Sequence, residues 1–474
     1  MKVLNKRELP DQRLSTLDET GKRVYIFPEK VRGLFRKWRT LTQVILITIL
    51  LVLPWLKVNG YQALLFDIPN RRFSIFGLTF WAHDGPLIFY ILAILTIGLA
   101  FMTAVYGRVW CGWGCPQTVF VDGVFRRIEH LIIGSHIKQM NLAKAPWNQE
   151  KILKYSITWF FFTLVSLIIT HSFLAYFVGA ERLVEMTQHN PQENWTIFVI
   201  MFFISSVILF DFGWFREQFC IIMCPYGRIQ SVLMDDDSVT VAYDYNRGEP
   251  RKGTVDAANK AGDCIDCYKC VSVCPTGIDI RSGLQMECVG CTACIDACDE
   301  VMEHIDKPKG LIRYVSANSL NGFTSKLLKP RIAVYSVLLI LIFSLLIINV
   351  SKRQDLLVTM LRGKDVPYQV VQEGSDKKII NHFKLHLKNQ TFEDSIIQLK
   401  ISEKWNDGQI EIISQNKDIQ IFAGKDITVH FFLKFPYEVI NETGTKSIEI
   451  DFIDLQTKEI KSKKDIKLIG PLSG

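Results

Sequence analysis

The chain has 474 residues, a formal net charge of +7 and 49% hydrophobic residues. Very apolar blocks alternate with strongly charged ones, a mosaic that fits a membrane protein with soluble domains better than one large water-soluble globule. Lysine and arginine gather beside the apolar blocks instead of forming a stripe interleaved with aromatics, which points to a lipid membrane and away from nucleic acid.

Residues 1–40 are polar and basic, with Lys6, Arg7, Arg32, Arg36, Lys37 and Arg39. Five apolar runs follow, at Leu41–Leu56, Pro86–Tyr106, Tyr155–Phe177, Trp195–Phe212 and Ile332–Val350. Each approaches the roughly 20 residues that a helix needs to cross a hydrocarbon core. Pro54 weakens the end of the first. The loop after the first run holds only Lys57, Arg71 and Arg72, and the loop after the third only Arg182. The loop after the second is rich in basic residues: Arg108, Arg126, Arg127, Lys138 and Lys144. This alternation predicts a cytoplasmic N-terminus and, after five spans, a C-terminal part outside. The first run reads as an uncleaved anchor, because about 40 mostly polar residues precede it.

The 12 cysteines fall in four tight groups, all on the predicted cytoplasmic side. Two of the groups repeat a motif just past the second and fourth spans, Cys111-x3-Cys115-Pro116 and Cys220-x3-Cys224-Pro225. Each leads into an amphipathic stretch, Thr118–Ile133 or Arg228–Met234, and proline suits the first turn of a helix. If the two cysteines of a pair share one helix, their Cβ atoms stand about 5–6 Å apart. A disulfide wants about 3.5–4.5 Å. The pairs are therefore expected as copper or redox thiols, for Cu(I) or a further metal centre, with four thiols meeting at one site. Buried packing cysteines are the plain alternative.

The other eight cysteines form two bacterial ferredoxin runs, Cys264-x2-Cys267-x2-Cys270-x3-Cys274-Pro275 and Cys288-x2-Cys291-x2-Cys294-x3-Cys298. In such runs three thiolates wrap one cluster and the fourth ligates the other. This predicts one [4Fe–4S] cluster on Cys264, Cys267, Cys270 and Cys298, and a second on Cys288, Cys291, Cys294 and Cys274. Pro275 and Gly277 break the chain as the crossover requires. Structural zinc is the competing assignment, though it uses pairs of C-x2-C.

From Tyr368 onward, strand-like runs alternate with turns: Phe383–Leu387, Ile396–Ile401, Ile410–Ile413, Ile427–Phe435 and Ile448–Ile453. Turn signals lie at Asn406-Asp407-Gly408 and Ala423-Gly424-Lys425. The pattern predicts an immunoglobulin-like sandwich. Further candidate ligands, for copper or a quinone, are His171, His83, Met186 and His189, while His382 and His386 share a strand face. The chain lacks a P-loop, a haem-attachment motif and a hydrolase triad, which leaves electron transfer as the expected chemistry.

The expected architecture is thus a multi-domain membrane protein. Residues 41–214 hold four spans, and 215–330 form a cytoplasmic segment with an α+β ferredoxin-like domain at about 255–310. The fifth span is 331–350, and 351–474 form a periplasmic all-β immunoglobulin-like domain.

Several stretches resemble one family: residues 71–81 (RRFSIFGLTFW), 106–117 (YGRVWCGWGCPQ), 262–267 (GDCIDC) and 283–288 (GLQMEC). The chain is similar along nearly its whole length to the cytochrome c oxidase accessory proteins of the CcoG type, also called FixG or RdxA. The resemblance implies a role in assembling a cbb3-type oxidase. It also implies reduction of Cu(II) to Cu(I) before copper delivery, with copper-handling and oxidase-assembly proteins as partners and an unspecified cytoplasmic electron donor. A quinol-oxidising relay and a non-redox scaffold with structural clusters are the competing readings.

Overall fold

The computed structural model describes Thr16 and residues 23–471, apart from 59, 69–71, 77, 82–84, 253–261, 325–328, 352–353, 364–365, 374–375, 392, 406–407 and 441–443. Contacts divide the chain into two compact units, one of residues 1–71 with 85–346 and one of residues 72–84 with 347–474.

Five helices among the described residues are long and apolar enough to cross a membrane: Leu34–Trp55, Leu87–Tyr106, Gln149–Val178, Trp195–Phe215 and Pro330–Ser351. The chain is a multi-pass membrane protein. Two spans start earlier than hydropathy alone predicts. The first begins at Leu34 instead of Leu41, because Arg36, Lys37 and Arg39 are good helix formers and extend the helix into its basic flank. The third begins at Gln149 instead of Tyr155, where the Asn148 side chain accepts the Lys151 amide at 2.8 Å as an N-cap. Pro54 lies in a short 3-10 turn, Leu53–Trp55, that ends the first span. In the core between helices, Phe125 packs tilted against Phe162 with ring centroids 4.8 Å apart, and Phe120 stacks on Phe212 at 5.5 Å. Aromatic pairs of this kind add about 0.5–1.5 kcal/mol beyond the area they bury.

The cysteine-rich insertion is closed at its base by two antiparallel strands, Thr240–Tyr243 and Ile312–Val315, which pair Thr240 with Val315 and Tyr243 with Ile312. Between them lie short helical turns, Lys269–Ser272 and Ile280–Ser282, and the helix Ala293–His304. Val241, Ile280, Ile295, Met302 and Leu311 make the apolar core. Gly277 and Gly290 take positive φ, +73° and +65°, so the chain doubles back after Cys274 and after Cys288.

The helix Ala293–His304 also caps the first span. The Asp296 carboxylate accepts the Phe35 amide at 3.1 Å and the Arg36 amide at 2.6 Å. These are first-turn amides that have no partner inside their own helix. A methyl group on Gly33 would sit 2.2 Å from the Asp296 carboxyl carbon, so glycine gives the carboxylate its space.

The second unit contains a two-layer antiparallel sandwich. Its five-stranded sheet runs Glu411–Ser414, Asp426–Pro436, Asp376–Asn389, Leu356–Arg362, with Gln369–Glu373 also pairing on Asp376–Asn389. Its four-stranded sheet runs Asp418–Ile421, Ser395–Ile401, Thr445–Asp454, Ile460–Ile469. Ile379, Leu385, Ile397, Phe431, Leu433, Phe435, Ile450 and Phe452 are fully buried between them. All five predicted strands are present, and a further strand, Leu356–Arg362, precedes the expected first strand-like run at Tyr368. Gly424 turns the chain with φ +66°, while Asn406 and Asp407 lie outside the described residues. This unit also holds a hairpin within the expected loop after the first span, Arg72–Ile75 against Leu78–Trp81.

Replacing Asp296 with alanine should cost about 0.5–2 kcal/mol, the usual worth of a helix cap. Asp296→Asn, which keeps one acceptor, should lose less. The thermal unfolding midpoint in detergent measures both.

Candidate functional site

The structure gathers the ferredoxin cysteines into the two crossed sets. Cys298 is an electrostatic neighbour of Cys267 and Cys264, and Cys270 of Cys298 and Cys267. Cys274 neighbours Cys291 and Cys288, and Cys294 neighbours Cys291, Cys288 and Cys274. A cavity lined by Cys270, Cys274, Cys288, Cys291 and Cys294 is walled by Val241, Ile278, Ile280 and Val289. Burial, reinforced by the neighbouring thiols, pushes Cys274 and Cys298 up to about 12 and Cys288 up to about 11. Buried thiols this close become thiolates only when a cation displaces their protons. Iron does so, and the apolar walls and crossed cysteine sets fit [4Fe–4S] clusters.

A single tetrahedral ion fits less well. Zinc uses pairs of C-x2-C, so two complete four-cysteine runs argue against structural zinc.

The C-x3-C-P pairs depart from the expected geometry. Cys111 lies in the short helix Val109–Trp113, and Cys115 leaves it with extended backbone, φ −66° and ψ 127°, to become the N-cap of Pro116–Phe120. Cys220 lies in the turn Phe219–Met223, and Cys224 repeats the break with φ −70° and ψ 110° before Pro225–Leu233. The proline ring excludes helical backbone from the residue before it. Each pair therefore straddles a helix break and does not share one helix face. All four thiols still meet: Cys220 neighbours Cys115, Cys111 and Cys224, and Cys111 neighbours Cys115 and Cys224. Burial raises Cys111 to about 11, and the Gln230 amide donates to its sulfur at 3.1 Å.

This quartet abuts the second ferredoxin set. A methyl group on Gly112 would lie 2.2 Å from the Gly290 carbonyl oxygen, and Cys288 is an electrostatic neighbour of Cys111. Two buried arginines lock the contact. Arg39 donates to the Gly112 carbonyl at 2.9 Å and the Cys291 carbonyl at 3.3 Å. Arg108 donates to the Cys288 carbonyl at 2.9 Å, to the Met286 carbonyl, and to the Gly227 carbonyl at 3.4 Å. Asp122 anchors Arg39 at 3.0 Å and Arg36 at 2.5 Å. Burial alone would raise the Asp122 carboxyl, yet Arg39, Arg36 and Arg126 hold it well below the usual carboxylate range. The sequence reading used Arg36, Arg39, Arg108 and Arg126 only as topology charges and passed over Asp122, Asp296 and Gln230.

Among the described residues, the histidines form no such cluster. His171 Nδ1 lies 2.9 Å from the Leu167 carbonyl of its own helix, and His189 sits 3.6 Å from Glu193. His382 Nε2 is 2.9 Å from His430 Nδ1, and His386 pairs with Thr428 at 3.1 Å. His83 lies outside the described residues.

Three family models match: a 4Fe-4S binding domain at 88–137, a 4Fe-4S dicluster domain at 215–317, and the IG-like fold at the C-terminal of FixG at 346–471. Protein RdxA of Cereibacter sphaeroides is 38% identical over 401 residues, covering 80% of this chain and 82% of that one. The chain belongs to the FixG/RdxA family. The nitrogen fixation protein FixG of Rhizobium meliloti is 36% identical over 306 residues, covering 62% of this chain and 58% of its own length. Ferredoxin-type protein NapH of Haemophilus influenzae is 24% identical over 300 residues, covering 56% and 87%. The chain is a membrane-associated iron–sulfur electron-transfer protein.

Asp122→Asn should destabilise the first unit by about 3–5 kcal/mol, because it leaves buried guanidinium charge without its anion. The lowered carboxyl contributes fully above the ordinary carboxylate range, and that contribution fades only as pH falls through its lowered value. The loss at neutral pH is therefore complete, and thermal unfolding in detergent at pH 7 measures it.

Proposed function

We propose that the chain reduces Cu(II) to Cu(I) in support of cbb3-type cytochrome c oxidase assembly. The observation that carries the reading is the continuous array of thiols. The ferredoxin sets adjoin the C-x3-C-P quartet through Gly112 and Gly290, and that quartet stands at the ends of the second and fourth spans. The alternating basic loops support an inner-membrane orientation with all twelve cysteines in the cytoplasm and the IG-like domain in the periplasm.

Two [4Fe–4S] clusters, held by Cys264, Cys267, Cys270 and Cys298 and by Cys288, Cys291, Cys294 and Cys274, supply one-electron chemistry when bound. The chain's own groups do the rest. The thiols fix the positions, the apolar walls exclude water, and the Arg39 and Arg108 charges favour arrival of negative charge nearby. Cys111, Cys115, Cys220 and Cys224 form the exit, where Cu(II) takes one electron and becomes Cu(I), an ion that favours soft sulfur. A cytoplasmic reductant supplies the electron. Copper-handling and oxidase-assembly proteins are the partners.

A second reading, quinol oxidation, has its own observation. Tyr155, Trp159, Phe162 and Trp214 line a cavity of about 580 Å³ that also exposes Glu129 and Arg216. Aromatic walls with a few polar groups suit a quinone ring. In that case quinol added to membranes reduces the clusters without a soluble donor.

The copper reading is tested with protein reduced anaerobically, freed of reductant and given Cu(II), with a Cu(I) chelator as readout. Wild type should form Cu(I). Replacing Cys111, Cys115, Cys220 and Cys224 with serine should slow this at least about tenfold, a loss of about 1.4 kcal/mol in the barrier. An unchanged rate removes the quartet from the route.

A further inference from the structure

We infer that a basic cavity at the start of the first span binds the phosphate headgroup of an anionic phospholipid. The inference does not depend on the copper reading, and the two can fail separately.

The cavity holds about 670 Å³ and lies wholly within the first unit. Three parts of the chain wall it: residues from 28–40, residues from 122–131, and the ferredoxin insertion at Pro275 and Ala293. Ligand sites run from about 300 to 1,000 Å³, so a headgroup fits.

Charge is the first ground. Seven arginines and lysines line the cavity against two carboxylates, Glu29 and Asp122. Both carboxylates are already engaged. Asp122 pairs with Arg36 and Arg39, and Glu29 pairs with Lys269, outside the cavity, at 2.8 Å. Among the described residues, Lys30, Arg32, Lys37 and Arg127 pair with no carboxylate. Arg127 reaches the Thr40 hydroxyl at 3.4 Å. Burial, and then the neighbouring Arg36 charge, press the Arg127 guanidinium below its usual value, and Asp122 opposes them only in part.

The second ground is an orphaned donor. Arg126 is 5% exposed and pairs with Glu217 at 2.7 Å, and its buried Nε has no acceptor among the described residues. Buried donors ordinarily have a partner. Gathered cations that are partly buried destabilise the fold unless an anion joins them. Membrane topology requires only a number of basic residues near a span. It does not require them to face one concavity from helices remote in sequence.

The third ground favours a lipid over a soluble phosphate compound. The apolar run of the first span starts at Leu41, about one helical turn past Lys37, so the cavity stands at headgroup depth. Leu34, Trp38 and Leu41 are exposed along one face of that helix, and Leu131 on the cavity wall is 84% exposed. Acyl chains cover such a stripe, whereas a soluble anion leaves it bare. Basic pockets at the ends of spans hold anionic headgroups in this way. A headgroup there touches both the first span and the insertion.

The experiment follows the thermal unfolding midpoint of the full chain in neutral detergent. Dioleoylphosphatidylglycerol, dioleoylphosphatidylcholine, inorganic phosphate or ADP is added, and a ligand that binds the folded chain raises the midpoint. Phosphatidylglycerol should act at concentrations at least about tenfold below those of the other three. Lys37→Gln/Arg127→Gln should weaken its binding at least about tenfold, since each cation near a lipid surface is worth about fivefold. Lys138→Gln/Lys144→Gln removes the same charge from the helix His136–Lys144, outside the cavity, and should weaken it less than about threefold. Equal weakening by the two variants reduces the cavity to general surface charge and overturns the inference. So does an equal response to phosphatidylcholine, or tighter binding of phosphate or ADP. If Lys37→Gln/Arg127→Gln loses its cluster absorbance and so fails to fold, the two single variants take its place, and the wild-type lipid comparison stands regardless.

Discussion

One buried guanidinium holds the functional part of the molecule together. Arg39 is 3% exposed and spends its donors on the Gly112 carbonyl, the Cys291 carbonyl and the Asp122 carboxylate. These three acceptors belong to the first C-x3-C-P motif, the second ferredoxin run and the helical stretch that follows Pro116. A buried cation that loses a partner is expensive, so none of the three segments can move without the others. Asp296 ties the same parts from the opposite side, since a residue between two cluster cysteines caps the first span. The insertion is thereby built onto the helix bundle.

The same economy explains the C-x3-C-P motif. A proline after the second cysteine forbids helical backbone at that cysteine. The chain must break there, which turns the second thiol away from the helix of the first. Four thiols on two uninterrupted helices would present two flat edges. Four thiols on two broken ones can surround a volume, and the Cys115 and Cys224 torsions show the break made twice in nearly the same way. The spacing of cysteines is ordinary helix spacing; the proline changes what that spacing means.

This is also where the sequence stopped being legible. The five spans, the crossed ferredoxin sets and the sandwich strands follow from periodicity and motif spacing, because each rests on contacts close in sequence or on a repeated ligand pattern. The helix starts were missed because polar flanks such as Arg36 and Lys37 continue a helix as readily as apolar residues do. Arg39 was counted among six basic residues before the first span. Nothing local distinguishes it from Lys37, since its partners lie far along the chain. Asp122, Asp296 and Gln230 are invisible for the same reason: a polar residue in an amphipathic helix reads as solvent-facing until its long-range partner is placed. The hairpin Arg72–Ile75 with Leu78–Trp81 sits in a stretch too short to announce two strands.

The burial pattern gives the thiol array a direction. Cys267 of the first ferredoxin set is exposed, while Cys270 beside it is buried. The second set lies under Arg108 and against Gly112, and the quartet adjoins it at the ends of two spans. A soluble partner can approach the first set closely and must stay further from the others. Electrons supplied from solution thus have one short way in, since Cys267 alone among the twelve cysteines is exposed. Shielding of the other eleven suppresses loss to stray oxidants and leaves Cys267 as the accessible end of the array.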